Sequence, residues 1–355
     1  MSPIFEILTP EQYPELDRFV EGHPQGGFTQ LSDWRRVKSN WGFEAIAVRD
    51  DSGNILGSLS VLIQRIPLIG TSFLYAPRGP VCDPHDRATL TALKAGADAL
   101  ARKTNAHALK IDPDILFSDA EFSALARELG FVQSYGPDGF EGIQARFNYR
   151  LYLQGRTEEA LLANLSQGAR RKVRIAIKNG VEIKVCGKER LDDFVRIMRL
   201  TGERDGFSTR PKAYFERFLD ALGPRARLYI GFYQGEPVCG AITTHCAGKV
   251  CYVYGASDNA HRDVMPNYLM QWEMIRWAVE LHAEIYDFQG VSGDLEGSHM
   301  AGLYQFKRGF GGQLDELAGE FDLTYRPVKA KLVGAALAAN ERLRAIRRRL
   351  APKKA

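Results

Sequence analysis

The 355-residue chain contains no apolar run long enough to cross a bilayer, which excludes an integral helical membrane protein. Nor does it open with the basic-then-apolar segment of a secretory leader, so a cytoplasmic location is expected. Cysteine is scarce. Cys82, Cys186, Cys239, Cys246 and Cys251 form no CxxC pair and no zinc spacing, and reduced thiols in ordinary packing are expected. Neither sign of charge dominates: 47 Lys and Arg against 43 Asp and Glu leave a net charge of +4, too mild to argue alone for a nucleic-acid partner. The basic residues are instead local, around 170–178 and in the last thirty positions. With 45% hydrophobic and 25% charged residues, the chain has the composition of a soluble globular protein and room for two cores.

Periodicity supplies the elements. Thr9 and Pro10 open a helix to Val20 as cap and first-turn proline. Leu31, Trp34, Val37 and Trp41 fall at helical spacing within Phe28–Trp41, predicting a short amphipathic helix that carries Lys38. Glu44–Arg49 and Ile55–Gln64 flank an Asp-Ser-Gly-Asn turn as a hairpin, and Thr71–Ala76 is a third strand. A helix over Arg87–Arg102 then leads to a strand over Ala108–Asp112. From about residue 150 the order repeats. A strand and a long basic helix, Thr157–Asn179, come first, followed by a strand at Val181–Val185 and a helix at Leu191–Asp205. Strands at Arg227–Tyr233, Pro237–Cys246 and Val250–Ala256, a helix at Asn267–His282 and a strand at Ile285–Phe288 follow. Gly57, Tyr75 and Asp112 fall in step with Gly240, Tyr254 and Asp287, so duplication of one α/β unit is the economical explanation. The order suits an α/β (α+β) fold of two tandem N-acetyltransferase-like (GNAT) domains. The first is expected to be 1–148 with a return of 321–355, the second 149–320.

The run Gly302-Leu-Tyr-Gln-Phe-Lys-Arg-Gly-Phe-Gly-Gly312 reads as a strand because its glycines weaken a helix, with Lys307 on the face opposite Phe306. Val291–Ala301 upstream reads as a mobile loop. A pyrophosphate cradle needs glycines whose backbone N–H groups can approach phosphate. Neither Ala260–Asn267 nor Gly79–Asp86, the corresponding turns, provides one, which counts against a coenzyme A enzyme.

Motifs along nearly the whole chain resemble the Fem-type (FemABX) aminoacyl-tRNA-dependent peptidyltransferases. They are Thr29-Gln30…Trp34…Val37-Lys38…Trp41, Arg78-Gly-Pro-Val81 and Lys110-Ile-Asp-Pro-Asp114, then Arg170-Arg-Lys-Val-Arg174, Thr209-Arg-Pro211…Tyr214-Phe215 and Tyr252-Val-Tyr-Gly-Ala-Ser257, and finally the 302–312 run. Each is weak alone; in this order they are specific. The resemblance is to compact members that add the first bridge residue, because 150–320 leaves no room for the coiled-coil arm of larger relatives. It implies transfer of Ala, Ser or Gly from aminoacyl-tRNA to the lysine amine of UDP-MurNAc-pentapeptide or lipid II. It demands no metal or cofactor, since the ester is already activated. It assigns Lys307 to stabilising the oxyanion or the leaving ribose oxygen and Asp112 to proton acceptance. Lys38 and Arg210 would hold acceptor phosphates, with Tyr214, Tyr254 and Phe306 lining the site. Arg170, Arg171, Lys172 and Arg174 would meet tRNA, and the protein would be a monomer with at most peripheral contact with the inner membrane face. The departure from the pattern is His107, where a close relative has an aromatic. The same residues also admit an ordinary reading: Lys307 as a solvated lysine, Asp112 as a turn aspartate before Pro113, the arginines as a solvated face. An acyl-CoA N-acyltransferase and a non-catalytic RNA-binding module remain the alternatives.

Overall fold

The computed structural model describes residues 4–136, 139, 141–298 and 301–350. Its first half builds β1 (Ile4–Ile7), α1 (Tyr13–Gly22), α2 (Trp34–Val37), β2 (Gly42–Arg49), β3 (Ile55–Ile66), β4 (Thr71–Ala76) and β5 (Val81–Cys82). α3 (Arg87–Thr104), β6 (Ala106–Ile111), α4 (Ala120–Glu128) and β7 (Val132–Ser134) complete it. The second half builds β8 (Phe147–Tyr152), α5 (Glu158–Asn164), α6 (Gln167–Lys178), β9 (Glu182–Cys186), α7 (Leu191–Asp205) and α8 (Lys212–Leu222). It continues with β10 (Ala226–Tyr233), β11 (Glu236–Cys246), β12 (Lys249–Ser257), α9 (Pro266–Glu280), β13 (Ile285–Val291), α10 (Ala301–Arg308) and β14 (Gln313–Glu316). β15 (Glu320–Thr324) and α11 (Pro327–Leu350) end the chain.

Two sheets result, ordered β1-β2-β3-β4-β6-β15-β7 with β5 on β3, and β14-β8-β13-β12-β11-β10-β9. In each, an antiparallel meander ends in one parallel pair, β4 with β6 and β12 with β13, and the crossover is a helix, α3 or α9. The glycines that fall in step have the same task in both units. A Cβ at Gly57 would lie 2.6 Å from Thr89 of α3, and one at Gly240 would lie 2.8 Å from Phe194 of α7. Each lets a helix sit directly on its strand. β12 and β13 pair only from Lys249–Ile285 to Cys251–Asp287, so beyond that point they part, with Tyr254 and Gln289 on the two sides of the gap. The units share a core: Trp34 packs edge-on against Phe218, and Leu62 and Tyr75 join Phe194, Phe215 and Leu222 in one buried cluster.

Three expectations are corrected. Residues 302–308 of the run lie in a helix, α10, not a strand, because Gly309, Gly311 and Gly312 follow Arg308 and end the helix instead of interrupting it. Lys307 and Phe306 are therefore about 100° apart around that helix, not on opposite faces. The basic stretch 157–179 is two helices, broken where Leu165 leaves helical geometry and Ser166 caps α6 by accepting from the Ala169 N–H. The Phe28–Trp41 helix shrinks to Trp34–Val37, with successive turns carrying the rest of the apolar spacing. The loop between β13 and α10 includes positions 299 and 300, which lie outside the described residues, as do Lys353 and Lys354 of the basic tail.

Candidate active site

A cleft of about 310 Å³ opens between the two sheets. Lys38, at the C-terminal end of α2, and Arg210, just before α8, both line it, with Tyr214 of α8 and Tyr254 of β12. Their packing explains why they converge: α2 and α8 lie against each other across the unit boundary. The Lys38 ammonium sits 5.3 Å from the Trp34 ring centroid and 6.0 Å from that of Tyr214, and the Arg210 guanidinium is 5.5 Å from the Tyr214 ring. Neither cation is paired with a carboxylate among the described residues. Burial, reinforced by the nearby Arg210 charge, lowers the Lys38 pKa. Two like charges held together without a carboxylate partner among the described residues are suited to a polyanion. The hydroxyls of Tyr214 and Tyr254 bond to each other at 2.9 Å.

The floor is a buried chain of charges. Arg150 of β8 donates to Asp287 of β13 at 2.9 Å and to Asp114 at 2.6 Å, and Lys249 of β12 donates to Asp114 at 2.8 Å and to the Gly26 carbonyl at 3.0 Å. Burial pushes the Asp114 carboxyl up, but Arg150 and Lys249 outweigh it and hold the group well below the usual carboxylate range. Asn148 donates to Asp287 at 3.3 Å, while its own Oδ1 is buried without a partner.

Asp287 also shapes the backbone that follows it. Its Oδ1 accepts from the Gln289 N–H at 2.6 Å, and Gln289 adopts a left-handed φ of 63°. The turn brings two carbonyls onto one amine: Lys307 Nζ donates to Gln289 O at 3.1 Å and Gly290 O at 2.7 Å. Lys307 is 3% exposed, and its burial drives the ammonium down to about 7 against the opposing pull of Asp287. A lysine that can be half neutral at physiological pH is a functional-site signature.

Asp112 lies behind the opposite wall and borders a second cavity, not the main cleft. Its Oδ2 accepts from Tyr75 OH and its Oδ1 from the Arg78 N–H, both at 2.6 Å. Burial raises its pKa to about 6, although the Arg78 charge and the Tyr75 bond pull the other way. Tyr75 and Arg78 both line the main cleft, so Asp112 reaches it through them.

The other candidate residues scatter. Phe306 is absent from the cleft lining and packs with Tyr268 and Phe310, supporting α10. His107 is buried and stacks on Phe73, away from the cleft. On α6, Arg171 and Arg174 are exposed and Arg170 half-buried, whereas Lys172 is committed to Tyr268, donating to its hydroxyl at 2.9 Å. α6 is tied to the end of the Lys307 helix by the Ser166 N–H, which donates to Gly309 O at 2.9 Å.

The model of the FemAB family matches residues 9–234 and 233–337. The chain belongs to the FemAB family. It is similar to the lipid II:glycine glycyltransferase of Staphylococcus epidermidis, 32% identical over 86% of this chain and 90% of that one. That alignment runs over 375 positions, more than the 355 residues here, so the relative carries insertions this chain lacks. Among the described residues of 149–320 no helix exceeds 15 residues, which leaves no long helical arm. The crystal structure of FemX superimposes with a TM-score of 0.85 at 28% identity, covering 93% of this chain and 99% of that one. A tandem GNAT protein from the clavulanic acid biosynthesis pathway shares the fold, with a TM-score of 0.55 at 14% identity over 91% of this chain and 98% of that one. The FemAB chain is thus a transferase built from two tandem acetyltransferase-like units.

Sequence reasoning missed Tyr75 and Arg78 as links to Asp112, and the whole Asp287–Arg150–Asp114–Lys249 chain. A usable signal was present for Arg150. An arginine in the middle of an apolar strand, Tyr149-Arg-Leu-Tyr-Leu153, requires buried carboxylates nearby.

Proposed function

We propose that this FemAB transferase moves an amino acid from aminoacyl-tRNA to the lysine side-chain amine of a peptidoglycan precursor, beginning the interpeptide bridge. What carries the reading is the pair Lys38 and Arg210, two cations without a carboxylate partner among the described residues, on an aromatic shelf in the cleft lined by Gln289, whose carbonyl holds the buried Lys307 behind that lining. An acceptor's phosphates suit the cations, and its peptide would run along the floor toward Lys307. Glycine is the first amino acid to test and lipid II the first acceptor, because the curated relatives are named for both.

The acceptor amine's lone pair forms the new C–N bond at the ester carbonyl, and the carbonyl electrons move to oxygen. Lys307 as an ammonium has three N–H bonds, two of them on Gln289 O and Gly290 O; the third has no acceptor among the described residues and would be offered to that oxyanion once substrate reaches this buried amine. Collapse breaks the ester C–O bond, and the proton lost from the amine ends on the released ribose oxygen. On the way Asp112 takes that proton through Tyr75, whose hydroxyl is bonded to it, and returns it by the same route to the ribose oxygen as the C–O bond breaks; a carboxyl near 6 is matched to the task at neutral pH. Tyr75→Phe and Asp112→Asn should then each slow turnover, and the double variant no more than the worse single. Arg171 and Arg174 offer tRNA phosphates an exposed helix face leading to the Lys307 helix. With this reading goes a monomer working at the cytoplasmic side, divided at 1–148 with 321–355 and 149–320.

The test supplies charged tRNAs, one amino acid at a time, with UDP-MurNAc-pentapeptide or lipid II, and reads the acceptor by mass spectrometry. Addition from one aminoacyl-tRNA supports the proposal. Transfer from acetyl-CoA, with none from any aminoacyl-tRNA, overturns it.

A further inference from the structure

α11 leaves the body of the protein almost as soon as it begins. Val333 is its buried anchor, and Lys329 Nζ donates to Gly70 O at 2.8 Å, fixing the first turns beside the β3–β4 hairpin tip. From 334 to 339 every residue is exposed. A helix standing free in water has little to stabilise it, so a segment of this length needs a surface to lie on.

Its sequence describes that surface. Val328, Leu332, Ala335 and Ala339 follow each other at four- and three-residue steps, and the sequence continues the spacing through Leu343, Ile346 and Leu350. Val328 and Leu332 are 72% and 53% exposed, and beside the first turn Leu68 at the hairpin tip is fully exposed. Between Arg326 and Leu350 the sequence holds Arg326, Lys329, Lys331, Arg342, Arg344 and Arg347–Arg349 against Glu341 alone. Lys329, Lys331 and Arg342 fall about 60–100° to either side of the apolar stripe on a helical wheel.

We propose that α11 and the Leu68 hairpin tip form a docking surface for an anionic bilayer, with α11 lying in the interface. An apolar stripe edged by cations matches acyl chains below and acidic headgroups beside it. tRNA would satisfy the cations but leave Val328, Leu332 and Leu68 facing a phosphate backbone. A second copy would cover the stripe but bring two strongly basic helices together. Only the acidic membrane surface complements both features. The inference rests on the proposed transfer to a lipid-linked acceptor, which it would bring within reach of the cleft.

The test mixes the full chain with sedimentable vesicles of phosphatidylcholine alone or with phosphatidylglycerol. Binding to the acidic vesicles only, weakened by salt, is expected. Val328→Glu with Leu332→Glu should lower it about tenfold or more. Both positions are exposed, so an unchanged melting temperature verifies folding. The same variant should transfer normally to soluble UDP-MurNAc-pentapeptide and poorly to lipid II in vesicles. Vesicle binding without transfer to any acceptor would sink the proposed activity and leave the surface standing. The surface is overturned by failure to bind acidic vesicles, by binding that the variant keeps, or by a stripe that serves instead in dimerisation or tRNA affinity.

Discussion

In the first unit Asp112 follows β6 and meets a tyrosine hydroxyl and a backbone N–H; in the second Asp287, on the matching strand β13, meets a guanidinium. Both are almost fully buried. The partners decide what each can do. Burial raises the Asp112 pKa to about 6 against the pull of the Arg78 charge and the Tyr75 bond, so it can exchange a proton at physiological pH. Arg150 donates to one oxygen of Asp287, and the other oxygen holds the turn whose carbonyls grip Lys307. In the proposed reaction the repeated unit thus supplies one carboxyl for proton transfer and one for positioning. The difference lies in residues opposite the aspartates, not in the aspartates themselves.

The largest effect should come from removing the partner that makes the second unit different. Arg150→Met takes the guanidinium from Asp287 and leaves Asp114 with Lys249 alone in a buried floor, and losing one member of a buried ion network costs roughly 3–5 kcal/mol. Urea unfolding measures it. A loss under about 1 kcal/mol would show that water reaches the floor and that the contrast between the two aspartates is shallow.

Next is Lys307. Lys307→Met should lower turnover by about two to three orders of magnitude while leaving acceptor affinity nearly intact, the pattern of a contact made only in the transition state. The pH profile separates charge from shape. The ammonium is lost as pH rises through about 7, so wild-type turnover should fall there, whereas Lys307→Arg should keep a weaker activity without the fall. Stability moves the opposite way. Between about 7 and the ordinary 10.5 the unfolded chain binds the extra proton, so wild-type stability rises with pH across that window, and Lys307→Met should abolish the slope. Normal turnover by Lys307→Met at saturating substrates would reduce the lysine to a structural role.

Much of this arrangement was legible in the residues, and the failures have physical causes. The alternation of hairpins, parallel pair and crossover helix is a local pattern, so the two units and the matched Gly57 and Gly240 could be read directly. The cleft cations could be placed because their motifs lie beside strong apolar anchors, Trp34 and Phe215. α10 was misread because Tyr304 and Phe306 alternate as in a strand, and eight residues are too few for helical periodicity to compete. The charge chain escaped because Asp114, Arg150, Lys249 and Asp287 come from four segments, and only tertiary packing joins them. Asp112 could be singled out, but its isolation behind Tyr75 and Arg78 could not.

Arg210 tests whether the phosphate site belongs to both units. Arg210→Ala should weaken acceptor binding by roughly 1.5–3 kcal/mol, the worth of a charge-assisted contact, and change turnover at saturation little. Lys38 then loses its like-charged neighbour, so its lowered pKa should move back up. Unchanged acceptor affinity would remove Arg210 from the site.

The smallest effect should come from Asp112→Asn, and its sign is what matters. The folded pKa of about 6 lies above the usual 3.8, so the folded chain binds the proton more tightly. The contribution of Asp112 to stability is therefore greatest below pH 3.8, falls as pH rises toward 6 and levels off above. Carrying a charge in that dry pocket costs about 3 kcal/mol, the free-energy equivalent of the shift. Asn keeps the shape and the bond from Arg78 but must have the Tyr75 hydroxyl turned round, which returns roughly 1–2 kcal/mol of the gain. A net stabilisation of about 1–2 kcal/mol at neutral pH, with the slope between 3.8 and 6 removed, is expected from chemical unfolding at several pH values. Turnover should fall in the same protein. A variant that gains stability while losing activity marks a carboxylate kept for chemistry at the expense of the fold. If Asp112→Asn is instead destabilised and fully active, Asp112 is a structural acceptor like Asp287, and the contrast between the two units disappears.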